Sequence, residues 1–136
     1  MASAIYDKFR EACLTKTGPS YSTHNVKVGF CSTKYVFSAG HQFLSSVLSS
    51  QMVKRSTTNL ASKAITNGVG SAANITLNAV STGKIVKSVV GWRDTGSSAT
   101  SELLFYIDVA TGLPFTPSGA NMTIAWSTGA NKIFKL

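Results

Sequence analysis

Between Ser71 and Leu136, short apolar runs alternate residue by residue with polar ones and are separated by Gly, Ser, Asn and Thr. A period of two is the signature of strands with one face turned inward. Ile75, Leu77 and Ala79 interleave with Asn74, Thr76 and Asn78; Leu103, Phe105 and Ile107 interleave with Leu104, Tyr106 and Asp108; Met122, Ile124 and Trp126 interleave with Asn121, Thr123 and Ala125. Ser81-Thr82-Gly83 and Asp94-Thr95-Gly96-Ser97-Ser98 have the chemistry of turns. These signals predict strands over 75–80, 84–92, 101–109 and 122–126. The stretch 110–121, with Gly112, Pro114, Pro117 and Gly119, reads as a long connection without hydrogen bonds. The fold class expected is mainly β, an antiparallel β-sandwich or jelly roll.

The first half is less regular. From Ser3 to Leu14, Ile5, Phe9, Ala12 and Cys13 fall at helical spacing with Ser3 as N-cap, which predicts a short N-terminal α-helix. Thr15 to Asn25 contains Gly18-Pro19 and reads as a loop. Val26, Val28 and Phe30 alternate with Lys27, Gly29 and Cys31, which predicts a strand. The segment 35–51 gives a mixed signal that fits either a short helix or an irregular arm, and the region 35–58 is read as an extended arm that would cross to a neighbouring subunit. A further strand is expected over 59–66, followed by a turn at Asn67-Gly68-Val69-Gly70.

The chain has 136 residues, the size of one domain, and 43% hydrophobic residues, enough for a core; residues 1–136 are therefore read as a single β-sandwich domain. Only 13% of the residues are charged, so the surface is rich in hydroxyl and amide groups. Such a coat suits a protein packed against neighbours, with a soluble monomer as the plainer alternative. The net charge is +8, but the cations are scattered along the chain, without the stripe of interleaved aromatics that phosphate backbones favour. Nucleic acid is therefore an unlikely partner, and an acidic protein surface is an equally good counterpart.

Catalytic equipment is sparse. The five carboxylates form no acid/base pair that can be nominated, no GxSxG elbow is present, and the two cysteines, Cys13 and Cys31, lack metal-ligand spacing. His24 and His41 read as surface or hydrogen-bonding residues, and Trp92 and Trp126 read as core before they read as anchors for a partner. No enzyme activity, metal or cofactor is expected. The sequence contains neither a long apolar h-region at MASAIYDKF nor a run of eighteen apolar residues, so folding in cytoplasm with reduced thiols and no membrane span is expected. Contacts with a partner are assigned to Tyr6, Phe9 and Arg10 in the helix, Phe43 and Arg55 in the arm, and Phe115 in the Gly-Leu-Pro-Phe loop. Each of these residues is equally readable as core.

Several blocks carry a resemblance: AIYDKFREACL at 4–14, FLSSV at 43–47, the Asp-Thr-Gly turn at 94–96, SELLFYIDVATGLPFTP at 101–117, and IAWSTGANKIFKL at 124–136. Together they span nearly the whole chain, which resembles the capsid decoration, or cement, proteins of tailed bacteriophages. The resemblance implies a virion structural protein, made in the host bacterial cytoplasm, that binds the outer surface of the expanded icosahedral shell. There it would bridge major capsid proteins, and it would pair with itself as a dimer or trimer at a symmetry axis. The alternative is a low-copy tail or head-completion protein. One departure stands out, because relatives carry more acidic residues in the middle segment and this chain has none between Thr15 and Arg93. That departure implies a correspondingly acidic partner surface.

Overall fold

The fold is taken from a computed structural model of the chain, which describes residues 4–108, 110, 112–126, 129 and 132–135. The protein is mainly β, with antiparallel pairing throughout the described strands and one short helix. The strands are β1 (Ala4–Ile5), β2 (Val26–Ser32), β3 (Met52–Arg55), β4 (Ala64–Thr66), β5 (Val69–Ser71), β6 (Ile75–Leu77), β7 (Val86–Arg93), β8 (Leu103–Ile107), β9 (Met122–Ile124) and β10 (Phe134–Lys135); α1 spans Asp7–Thr15. Five strands form the main sheet in the order β1-β8-β7-β2-β3, with β10-β5-β4 and β6-β9 as two smaller sheets.

The main sheet is apolar on both faces. One face carries Val26, Val28, Phe30, Val89 and Phe105, and these join a core completed by Ile75 and Leu77 of β6, Phe134 of β10, and Phe9 of α1. Phe134 is its hub: the rings of Phe9, Tyr21 and Phe105 lie with centroids 5.7, 5.0 and 5.8 Å away. The other face carries Cys31, Val90, Trp92 and Tyr106, covered by Tyr6, Tyr35, Leu44 and Val47.

That second core corrects the reading of 35–58 as an arm. Tyr35, Leu44, Val47 and Met52 are buried, and the segment folds back through two short 3-10 turns, Leu44–Ser46 and Ser49–Gln51, before entering the sheet as β3. Tyr35, Leu44 and Val47 cover the sheet and Phe37 packs against them, so most of the segment's apolar area is used within the fold, while Val36 and Leu48 stay exposed.

Other boundaries shift for identifiable reasons. The helix begins at Asp7, because Ala4 and Ile5 pair with Tyr106 and Phe105 and the Tyr6 N–H donates to the Leu104 carbonyl, completing the sheet edge first. The proposed cap Ser3 lies outside the described residues. The helix ends at Lys16 in the left-handed conformation, ahead of Gly18-Pro19. The strand expected over 59–66 is reduced to Ala64–Thr66: Leu60 donates its N–H to Val26, and Ser62 has φ 53°. The strand expected over 75–80 stops at Leu77, two residues before Ala79 at φ 48°. The strands expected over 84–92, 101–109 and 122–126 narrow to β7, β8 and β9.

The connection 110–121 is tied to the sheets by hydrogen bonds, in contrast to the expectation. Val86 and Phe115 exchange both backbone bonds at 2.8 and 3.0 Å, and Val80 bonds Gly119 and Ala120. The expected one-sided alternation also fails in β8, where Leu103, Leu104, Phe105 and Tyr106 are all buried. This strand lies inside the sheet between β1 and β7, with both faces covered, and at its register shift Leu104 faces no residue of β7.

Candidate functional site

The six residues assigned to contacts do not converge. Tyr6 and Phe9 are fully buried core residues, so neither side chain is offered to a partner; their apolar area is already used against Phe37 and Phe134. Arg10 is exposed on α1 and pairs with Asp7 at 3.3 Å. Phe43 is half-buried and bridges to Glu102. Arg55 is exposed, with its guanidinium 5.9 Å from the Trp92 ring centroid. Phe115 is half-buried and meets Phe30 edge-on at 5.3 Å. Arg55 neighbours the Trp92 end of β7 and Phe115 the Val86 end, separated along the strand by about 20 Å.

Three features are candidates for chemistry or binding. The first is a chain of buried polar groups under the 35–51 segment. The Tyr6 and Tyr35 hydroxyls are 2.7 Å apart, and the Tyr35 hydroxyl lies 3.1 Å from His41 Nδ1. Burial pushes the Cys31 thiol and the Tyr35 phenol each up to about 12, and Tyr6 and Tyr106 are also raised, chiefly by burial. At neutral pH these groups hold their protons, so the cluster supplies neither a thiolate nor a phenolate nucleophile. His24 accepts the Ser20 N–H at 2.9 Å, in line with a hydrogen-bonding role.

The second is a cleft of about 130 Å³ at the Arg93 end of the main sheet, lined by Lys27, Arg55, Trp92, Asp94 and the serines at 97, 98 and 101. Several of its lining groups are already engaged: Lys27 pairs with Asp94 at 3.0 Å and Ser101 Oγ donates to the Ser97 carbonyl at 2.7 Å, and the neighbouring Arg93 pairs with Glu102 at 3.1 Å. Organic ligand sites usually enclose several hundred Å³, so this cleft suits a few waters or a small ion.

The third is the opposite end of the sheet, where three loops meet. Gln51 Nε2 donates to the Lys34 carbonyl at 3.3 Å, its Oε1 accepts the Leu48 N–H at 3.0 Å, and Lys84 Nζ donates to the Ser50 carbonyl at 2.6 Å. Val36, Leu48 and Ile85 protrude from these loops at 77%, 57% and 48% exposure. Lys34 and Lys84 are exposed on these loops, and Lys87 is exposed at the start of β7. The sequence reading passed over these residues, since exposure of an aliphatic side chain depends on the loop it ends up in. The signal that was visible is the absence of carboxylates between Thr15 and Arg93.

The charge distribution sharpens the contrast between the two ends. Asp7, Glu11, Asp94 and Glu102 are each engaged by Arg10, Lys8, Lys27 and Arg93. Lys34, Lys84 and Lys87 are in none of these pairs. Among the described residues, no cluster of three or more His, Cys, Asp or Glu is placed to hold a metal ion, and no helix is long and apolar enough to cross a membrane. Compared with known proteins, the chain matches no protein-family model and no curated relative.

Proposed function

We propose that this chain is a virion structural protein of the bacteriophage decoration class, an antiparallel sandwich of jelly-roll type that binds the outer surface of an expanded icosahedral shell and bridges its major capsid proteins. The observation that carries the reading is the union of the two sequence blocks that bear the resemblance. Residues 4–14 supply β1 and α1, and residues 101–117 supply β8 and the loop that bridges Val86. β1 pairs with β8 through Ala4–Tyr106 and Ile5–Phe105, so the blocks form one structural unit at the β1 edge of the main sheet.

The surface chemistry fits the same role. The Cys31 thiol and the Tyr35 phenol are buried and hold their protons, while cations outside the four ion pairs, among them Lys34, Lys84 and Lys87, face outward. Many copies on a lattice turn modest local contacts into strong retention. A self-associated form at a symmetry axis, as dimer or trimer, belongs to this reading.

The test is co-sedimentation of the purified protein with expanded shells assembled from the major capsid protein of the same virus, at rising salt. Saturation at a fixed whole-number ratio to the capsid protein is expected. A handful of copies per particle would replace this reading with a tail or head-completion protein, and no binding would sink it.

A further inference from the structure

We infer that the end of the molecule where Gln51 and Lys84 tie three loops together is the docking surface, and that its occupant is an acidic face of a shell protein. The inference rests on the decoration reading above and adds the surface and the chemistry of its counterpart. Three of the five large hydrophobic side chains that the described residues expose, Val36, Leu48 and Ile85, lie on these loops. Exposed aliphatics gathered on one end and rimmed by charge mark an interaction site rather than scattered surface residues.

The loops are also held in place before any partner arrives. Gln51 closes its own 48–51 turn with its amide oxygen and joins that turn to the 33–36 turn with its amide nitrogen, and Lys84 joins the 83–85 turn to Ser50. A surface fixed in this way loses little conformational entropy on binding.

The charge on this end selects the occupant. Lys34, Lys84 and Lys87 lie outside the four ion pairs. Asp108, the residue just after the Val89–Ile107 pair, has one carboxylate oxygen buried. A second copy docked through the same end would set lysines against lysines, which is repulsive. Nucleic acid would favour exposed aromatic rings for stacking, and the side chains that protrude here are aliphatic. An acidic protein face with apolar residues at its centre satisfies both components.

The experiment compares shell binding of four proteins: the unaltered chain, Lys34→Glu/Lys87→Glu, Leu48→Ser/Ile85→Ser, and the charge-matched control Lys16→Glu/Lys135→Glu on a different surface. All the altered side chains are exposed, and unchanged near-ultraviolet dichroism checks that each variant is folded. The lysine pair at the docking end is expected to weaken binding by about a hundredfold at low salt. The Leu48/Ile85 pair is expected to weaken it about tenfold or more at all salt concentrations, while the control binds as the unaltered chain does. Equal losses in both lysine variants would mean that net charge alone holds the protein on, overturning this surface while leaving the decoration reading in place. Failure of the unaltered chain to bind shells would remove both. Retention of the unaltered chain on double-stranded DNA, lost in the Lys34/Lys87 variant, would assign the surface to nucleic acid and overturn the inference.

Discussion

The ring of Phe105 covers Gly91 on the neighbouring strand so closely that a Cβ on Gly91 would lie 2.3 Å from two of its ring atoms. A glycine inside a strand commonly marks such an approach, since no other residue leaves the space. Phe105 cannot easily retreat, because Trp126 and Phe134 pack against it at 6.1 and 5.8 Å. Gly91→Ala is therefore expected to destabilise the fold by about 1–3 kcal/mol through overpacking. Urea unfolding followed by tryptophan fluorescence measures the change, and a variant as stable as the parent would mean that the ring has room to move.

Ser56 finishes the edge of β2 after β3 has ended. Its N–H donates to the Val28 carbonyl and its hydroxyl accepts the Val28 N–H at 3.1 Å, a site sealed from water. Ser56→Ala keeps the first bond and orphans the Val28 N–H, at a cost of about 1–3 kcal/mol. Ser56→Thr, which keeps the hydroxyl, should recover part of the loss. The order parent, Thr, Ala in midpoint denaturant concentration is the expected outcome.

Residues 67 and 68 form the tightest turn. Asn67 at φ 51° and Gly68 at φ 78° join β4 to β5 through the pair Thr66–Val69, and two positive φ values are what a two-residue hairpin of matching twist demands. Gly68→Ala places a side chain in the left-handed region and is expected to cost about 1 kcal/mol. β4 is an exposed edge strand, so the effect should be local. Amide exchange in 64–71 should quicken, while that of β7 and β8 stays close to the parent's.

The parts of the fold that were legible in the sequence are those where the two faces of a strand differ in residue type or where a turn has its own chemistry. Val26, Val28 and Phe30 alternate with Lys27, Gly29 and Cys31 and share one core, and the Asn67-Gly68 turn announces its hairpin by residue type alone. β8 was misread because alternation carries no information about a strand covered on both sides. The segment 35–51 was misread because its apolar residues, spread over irregular turns, match neither period, although Tyr35, Leu44 and Val47 bury as well as any strand residue. Ala4 and Ile5 looked helical because Ile5 fits the spacing of Phe9, whereas long-range pairing to β8 decides their conformation. The candidate docking end was hidden for a related reason. Lys34, Leu48 and Lys84 are distant in sequence, and only the Gln51 and Lys84 hydrogen bonds bring them together.

The hydroxyls of Tyr6 and Tyr35 make a buried pair whose two members depend on each other. Tyr35→Phe leaves the Tyr6 hydroxyl without its partner and should cost about 1–3 kcal/mol, whereas removing both hydroxyls should cost less than the two single changes added together. Tyr35 also bonds His41, so the double variant still falls short of the parent. A double-mutant cycle in urea gives the coupling directly, and strictly additive losses would show that the two hydroxyls act independently.

The same buried groups set how the fold responds to alkali. Cys31 is pushed from an ordinary value of 9.0 up to about 12, and Tyr35 from 10.0 up to about 12, in both cases chiefly by burial. In the unfolded chain these protons leave near the ordinary values, while the folded chain keeps them, so above about pH 9 the unfolded state binds fewer protons and gains on the native state. The stabilisation is fully present below pH 9 and is lost as the pH rises toward 12. Stability should therefore be flat from pH 7 to 9 with respect to these groups and then fall steeply. Cys31→Ala should make the first part of that fall shallower, since the thiol is the group with the lowest ordinary value, although the truncation lowers stability overall. Urea midpoints at half-unit steps from pH 7 to 11 test the sign, and a midpoint that held or rose above pH 9 would show that the thiol and the phenols ionise as easily in the folded chain as in the unfolded one.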